Sequence, residues 1–164
     1  MDKASFKLER LGVIHTPAVL KFTAKENFTI DTSENAVVKI EHLGHNFKKH
    51  LLPLVENDPV LPGKLAVDKL VGRAKDSQIL SSLGGEGLAC ISLSQFYFSF
   101  AGKPDKKRVL FSANESIIAY IFVGINLWAV RGRQWIPRGF GFEAFPLDEP
   151  PEWGQDSLIL SQLY

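Results

Sequence analysis

The apolar and polar positions divide the chain into a front half of short elements and a back half of long alternating runs. Residues 17–24 and 27–31 read as short strands. Residues 36–43 are crowded with β-branched side chains at the front, although Val37, Ile40, Leu43 and Phe47 also fit a helical period. The stretch is read as strand, with loop after Gly44. Beyond the PVLPG turn at 59–63, Leu65, Leu70, Val71 and Ala74 fall on one helical face. Ile79, Leu80 and Leu83 continue that face up to Gly84-Gly85, a natural stop. The pattern predicts a central helix over about 63–83. After Gly87 it reads as strand: 88–100, 107–113 and 115–130, then a hairpin turn at Arg131-Gly132, then 133–145 broken at Pro137. The Pro-rich stretch 146–151 predicts an exit loop leading into a C-terminal tail, 146–164. One buried helix against an antiparallel meander places the chain in the α+β class, as a single domain over 1–164.

Composition adds exclusions rather than chemistry. The 164 residues are 45% hydrophobic and 23% charged, enough to bury one core. Nineteen Lys and Arg stand against eighteen Asp and Glu, a net charge of +1. No broad field of either sign exists to hold a polyanion, so nucleic acid is not an expected partner. The single cysteine, Cys90, excludes an intrachain disulfide and a Cys-rich zinc site. No run approaches the roughly 18 apolar residues of a membrane span. The start, MDKASFKLERLG, lacks the apolar core of a signal peptide. A cytoplasmic protein with no membrane partner is expected.

Two local patterns invite a chemical reading and fail on context. The segment RGFGFEAF at 138–145 matches an RNA-recognition signature, and 121–127 resembles its companion. That domain needs a helix and a strand between the two, and the short stretch 128–137 reads as strand and turn. Arg131, Arg133, Trp135 and Arg138 still form a basic-aromatic stripe that single-stranded nucleic acid can follow, which leaves a nucleic-acid-binding β-domain as an alternative function. His42 and His45 would share a helical face but point oppositely on a strand, and the spacing of a zinc protease is absent. They are read as polar loop histidines. No metal or other cofactor is expected.

The segment 57–68, NDPVLPGKLAVD, is more specific. Two prolines stiffen the approach, and Pro62-Gly63 bring the backbone to a helix start with free N–H groups. Asp68 follows one turn later, inside an otherwise apolar helix, where partial desolvation suits a general acid. The plainer reading puts Asp68 on the one polar side, beside Lys64 and Lys69.

These residues resemble the start of the central helix in the β-hydroxyacyl-acyl-carrier-protein dehydratases of the hot-dog fold, the β-hydroxydecanoyl type in particular. DPVLPGKLAVD is similar to that motif, with the acid five residues after the glycine, and Leu83-Gly-Gly-Glu-Gly87 is similar to the end of that helix. Weaker similarities lie at His15-Thr-Pro-Ala-Val-Leu20 and Ala129-Val-Arg-Gly-Arg133. The resemblance implies a curved antiparallel sheet wrapped around one helix, a homodimer, and dehydration of a 3-hydroxyacyl thioester borne by acyl carrier protein or CoA. It assigns Asp68, contributed by the other subunit to a site at the dimer interface, as acid, the backbone at Gly63 and Lys64 after Pro62 as carbonyl donors, and Phe96 and Phe98 as acyl-tunnel lining. The chain departs from the family where Leu54 stands in the place of the catalytic histidine. His45, in a G-H-N-F stretch similar to the family's G-H-F, and His50, in H-L-L-P, are the histidines that a loop insertion would return to the site. Without either, the resemblance implies a non-catalytic subunit that binds acyl thioesters. A carrier would dock on the basic stretch 103–108.

Overall fold

In the computed structural model, the apolar run after the PVLPG turn is a strand. The structure describes residues 6–101, 116–135, 139–150 and 152–164; the strand expected over 107–113, the basic stretch 103–108, Pro137 and Arg138 lie outside these. The elements are β1 (Lys7–Thr16), β2 (Phe22–Thr23), α1 (Ala24–Asn27), β3 (Ile40–Leu43), a wide helical turn (Phe47–Leu51), β4 (Val55–Glu56) and β5 (Gly63–Val71). They continue with α2 (Asp76–Ser82), α3 (Glu86–Ala89), α4 (Leu93–Ser99), β6 (Ser116–Val123), β7 (Asn126–Trp135), β8 (Gly139–Pro146) and β9 (Leu158–Leu163). Seven strands form one sheet in the order β1-β5-β9-β6-β7-β8-β3, while β2 and β4 pair separately. Neighbours run antiparallel except β9 with β6 and β8 with β3. The chain is therefore α+β with a mostly antiparallel sheet.

Six expectations are corrected. The central helix over 63–83 is strand β5 followed by the short helix α2. β5 lies between β1 and β9 and packs on both faces: Leu65 and Val67 join one apolar cluster and Leu70 the other. A strand buried on both faces carries a near-continuous apolar run, which mimics a helical stripe. The stop at Gly84 is real, since φ there is +95°. Residues 88–100 are not a strand but α3 and α4. A capping box starts α4: Gln95 N donates to Ser92 Oγ at 3.1 Å, and Ser92 N donates to Gln95 Oε1 at 3.0 Å. The hairpin turn is at Gly124-Ile125, with Gly124 at φ +62°, and Arg131-Gly132 lie within β7. The C-terminal tail 146–164 carries β9, which enters the middle of the sheet. The strand expected at 36–43 shortens to Ile40–Leu43, and the one at 17–24 to Phe22–Thr23.

Each face of the sheet carries its own apolar cluster. One holds α4 and the front segment in a net of edge-to-face rings: Phe28 against Phe47 at 4.9 Å, Phe96 against Phe100 at 5.0 Å, and Phe100 against Phe142 at 5.1 Å. The other holds α2, Tyr120, Ile118, Ile159 and Trp153. Gly132 lies under the ring of Phe100: a Cβ there would stand 2.5 Å from Phe100 Cζ and 3.0 Å from Phe142 Cε1. Gly132→Ala is expected to cost about 1–3 kcal/mol, because two buried rings must shift together. A urea melt with a lowered midpoint and an unchanged slope is the predicted reading; an unmoved midpoint would mean that the ring net yields freely.

Candidate functional site

Asp68 is 4% exposed on β5 and pairs in register with Arg10 of β1, across from a bulge that separates Arg10 from Gly12. Arg10 Nε donates to Asp68 Oδ1 at 2.7 Å. Asp68 shares a strand face with Leu70, in the α2-side cluster. His50 lies on the wide helical turn and stacks on Trp128 of β7, ring centroids 4.5 Å apart. Trp128 packs against the aromatic cluster of the opposite face. Within one chain, therefore, Asp68 and His50 are separated by the sheet.

The other expected residues scatter. His45 is exposed just before the wide turn, and His42 lies on β3. Among the described residues, no group of three or more His, Cys, Asp or Glu is placed to hold a metal ion. Phe96 is fully buried in the aromatic cluster; Phe98 is half-buried against Phe22 and Tyr97. Pro62 and Lys64 are exposed. Gly63 is brought to α4: a Cβ on it would stand 3.3 Å from Gln95 Nε2.

The register lines up Arg10, Asp68, Ile159, Ile118, Arg131 and Glu143 in one row across six strands. An ion pair stands at each end of the row. Arg131 Nη2 meets Glu143 Oε1 at 2.9 Å. Three strand spacings of about 4.8 Å put Arg131 roughly 14 Å from Asp68. Here the sheet opens into a cleft of about 670 Å³ beneath the loop 147–157. Ser116, Arg131, Glu143 and Phe145 contribute to its floor; Glu152, Trp153 and Gln155 contribute to its wall. The Arg131 guanidinium lies over the Phe145 ring, 5.2 Å from its centroid, and its Nε is a buried donor without an acceptor among the described residues.

One carboxylate gathers three of the hydrogen bonds that hold the wall. Asp76, fully buried in the first turn of α2, accepts Tyr120 Oη at 2.7 Å and Trp153 Nε1 at 2.6 Å on Oδ1, and Asp148 N at 2.8 Å on Oδ2. Trp153 N also donates to Ala74 O at 2.8 Å, and Asp156 N to Leu70 O at 2.9 Å. Lys69 pairs with Asp156 at 3.3 Å. These ties keep Asp148 and Asp156 at φ +60° and +73°, a region that side chains other than glycine enter at a cost. Burial, then the charge of Asp76, pushes the Tyr120 hydroxyl far above the ordinary tyrosine range.

The chain matches no known protein family, no curated protein and no solved structure. The geometry carries the functional reading alone. It also revises the basic-aromatic stripe: Arg131 is engaged by Glu143, and Arg138 lies outside the described residues.

Two outcomes test the wall. In Asp76→Asn, an NH₂ must face either Asp148 N or the Tyr120–Trp153 pair, whichever way the amide turns. A loss of about 1–3 kcal/mol in urea unfolding is expected; wild-type stability would deny the carboxylate its anchoring role. Tyr120 also sets an alkaline limit. Its proton is lost near pH 10 in the unfolded chain but held well above that in the folded one. The stability it confers is thus complete below pH 10 and declines as pH rises beyond it. Urea midpoints measured from neutral pH upward should show that decline, and Tyr120→Phe should flatten it.

Proposed function

We propose that the protein is a ligand-binding domain whose site is the cleft under the loop 147–157, and that its ligand is a small uncharged molecule rich in hydroxyl or amide groups. The observation that carries this reading is the Arg131 guanidinium on the cleft floor. Glu143 cancels its charge and takes one of its five N–H donors, which leaves donors to spare. Lys69 likewise answers Asp156 at the rim. These two pairs balance themselves and Glu152 adds a carboxylate at the wall, so the site gains little from an anionic ligand while its hydrogen-bonding capacity is still open. Ser116 hydroxyl and Gln155 amide can donate and accept, and Glu152 accepts. That mixture suits groups that do both. The wall is pre-formed by Asp76, so binding need not order it.

A 3-hydroxyacyl-thioester dehydratase needs acid and base on one substrate. Asp68 is engaged by Arg10, which favours binding over that chemistry; an acid–base pair would have to be completed across a homodimer, Asp68 of one copy meeting His50 or His45 of the other. A hot-dog relationship is compatible with α4 packed on one face of an antiparallel sheet, but the 57–68 motif that suggested it leads into strand β5 and not into a helix.

The experiment is an amide-resolved NMR titration with sugars, polyols and small primary amides. A ligand of this class should shift signals of β7, β8 and residues 152–157. Arg131→Ala should weaken it about tenfold or more, Arg131→Lys less, and Asp68→Asn not at all. Shifts concentrated elsewhere would overturn the cleft as the site. Turnover of a 3-hydroxyacyl or trans-2-enoyl thioester that Asp68→Asn abolishes would replace the binding reading with dehydration.

A further inference from the structure

We infer that Thr16, Gln95 and Gln162 form a second binding site, independent of the cleft, that receives one carbonyl or carboxylate oxygen over the bare face of Gly63. Thr16 ends β1 and pairs with Gly63, the first residue of β5. Because Gly63 has no side chain, the position of a Cβ is left open, and three polar atoms surround it. Gln95 Nε2 lies 3.3 Å from that point, Thr16 Oγ1 3.4 Å and Gln162 Nε2 3.6 Å. They come from three separate elements, β1, α4 and β9.

Two features make this a receptor rather than a chance meeting of polar groups. First, Thr16 is only 4% exposed and its hydroxyl is buried without a partner among the described residues. Folded chains seldom leave such a group unsatisfied, because it loses its water without replacement. Second, the orientation of Gln95 is fixed. The residue is 6% exposed, and its Oε1 is taken by Ser92 N in the capping box, so its NH₂ is turned toward Gly63. The donors are two amide NH₂ groups and one hydroxyl, none of them charged. A cation is repelled by the amide hydrogens. An acceptor oxygen over Gly63 is held off the backbone by van der Waals contact, beyond the Cβ position, and is the species that donors of this kind can share. Gly63 is itself only half-buried and Pro62 is exposed, which gives the oxygen a way in from solvent.

The test follows the side-chain NH₂ signals of Gln95 and Gln162 in ¹⁵N-labelled protein during separate titrations with acetate and N-methylacetamide. The two signals should move together with one dissociation constant. Acetate acting alone identifies a carboxylate site; N-methylacetamide acting identifies a carbonyl site. Gly63→Ala fills the opening with a methyl group and should weaken binding about tenfold or more. Should that variant fold poorly, Thr16→Val removes a donor at constant shape and should weaken binding without loss of thermal stability. Silence of both signals toward both probes overturns the site. So do shifts that neither variant changes, or a water molecule held at the Gln95 NH₂ that neither probe displaces.

Discussion

Leu158, Ile159 and Leu160 are fully buried because β9, almost the last segment of the chain, enters the sheet between β5 and β6. β5 is bonded to it antiparallel along six residue pairs, Lys64 to Lys69, and β6 in parallel at Ile117 and Ile118. Without β9 the sheet would be two pieces: the β1–β5 pair and the β6–β7–β8–β3 group. The joining of these two pieces depends on this insertion. It brings Ile159 between Asp68 and Ile118 in the cross-sheet row, and it obliges the preceding loop to cross the α2 face. Pairings between segments this far apart in sequence carry a high closure entropy. The apolar residues on both faces of β9 offset that cost.

That crossing loop explains why a carboxylate is buried at all. Asp76 is fully enclosed, and an enclosed charge is tolerated only when its oxygens are well bonded. Its three donors come from β6, from the backbone at Asp148 and from the Trp153 indole, so one side chain joins α2, the sheet and the loop. The same loop is the cleft wall. A specificity device in the core thus doubles as the support of a binding surface, and the left-handed backbone at Asp148 and Asp156 is the strain the anchor sustains.

Part of this was legible in the sequence. The α+β class, the antiparallel run β6–β7–β8, the stop at Gly84 and the turn-rich approach at 57–63 follow from local pattern. The failures have a common cause: local pattern cannot report burial on two faces. KLAVDKLV has too few polar positions to separate a period of 2 from one of 3.6 when both strand faces are covered. SLSQFYFSF alternates like a strand, yet Ser92 and Gln95 form a legible helix-start signal, and that signal prevailed. LILSQL has the apolar run of a central strand but follows a Pro-rich loop, so it reads as a tail. The site was the least legible part. Arg131 acquires its role from Glu143, and Asp76 from residues 120, 148 and 153; register and topology join them, and no short motif encodes either.

The two polar sites also owe their separation to β9. Ser157, just before the strand, lines the cleft, and Gln162, near its end, faces Gly63. Five residues of strand span about 17 Å. Strand alternation places Gln162 with Leu158 and Leu160 on the aromatic side, whereas the cleft opens on the α2 side. The segment between them is the most enclosed strand of the sheet, bonded on both edges and packed on both faces, and so the least able to shift. A small displacement at one site has no bistable element through which to reach the other. Occupancy of the cleft and of the Gly63 face is thus expected to be energetically independent. A ligand long enough to touch both would have to pass around an edge of the sheet rather than through it.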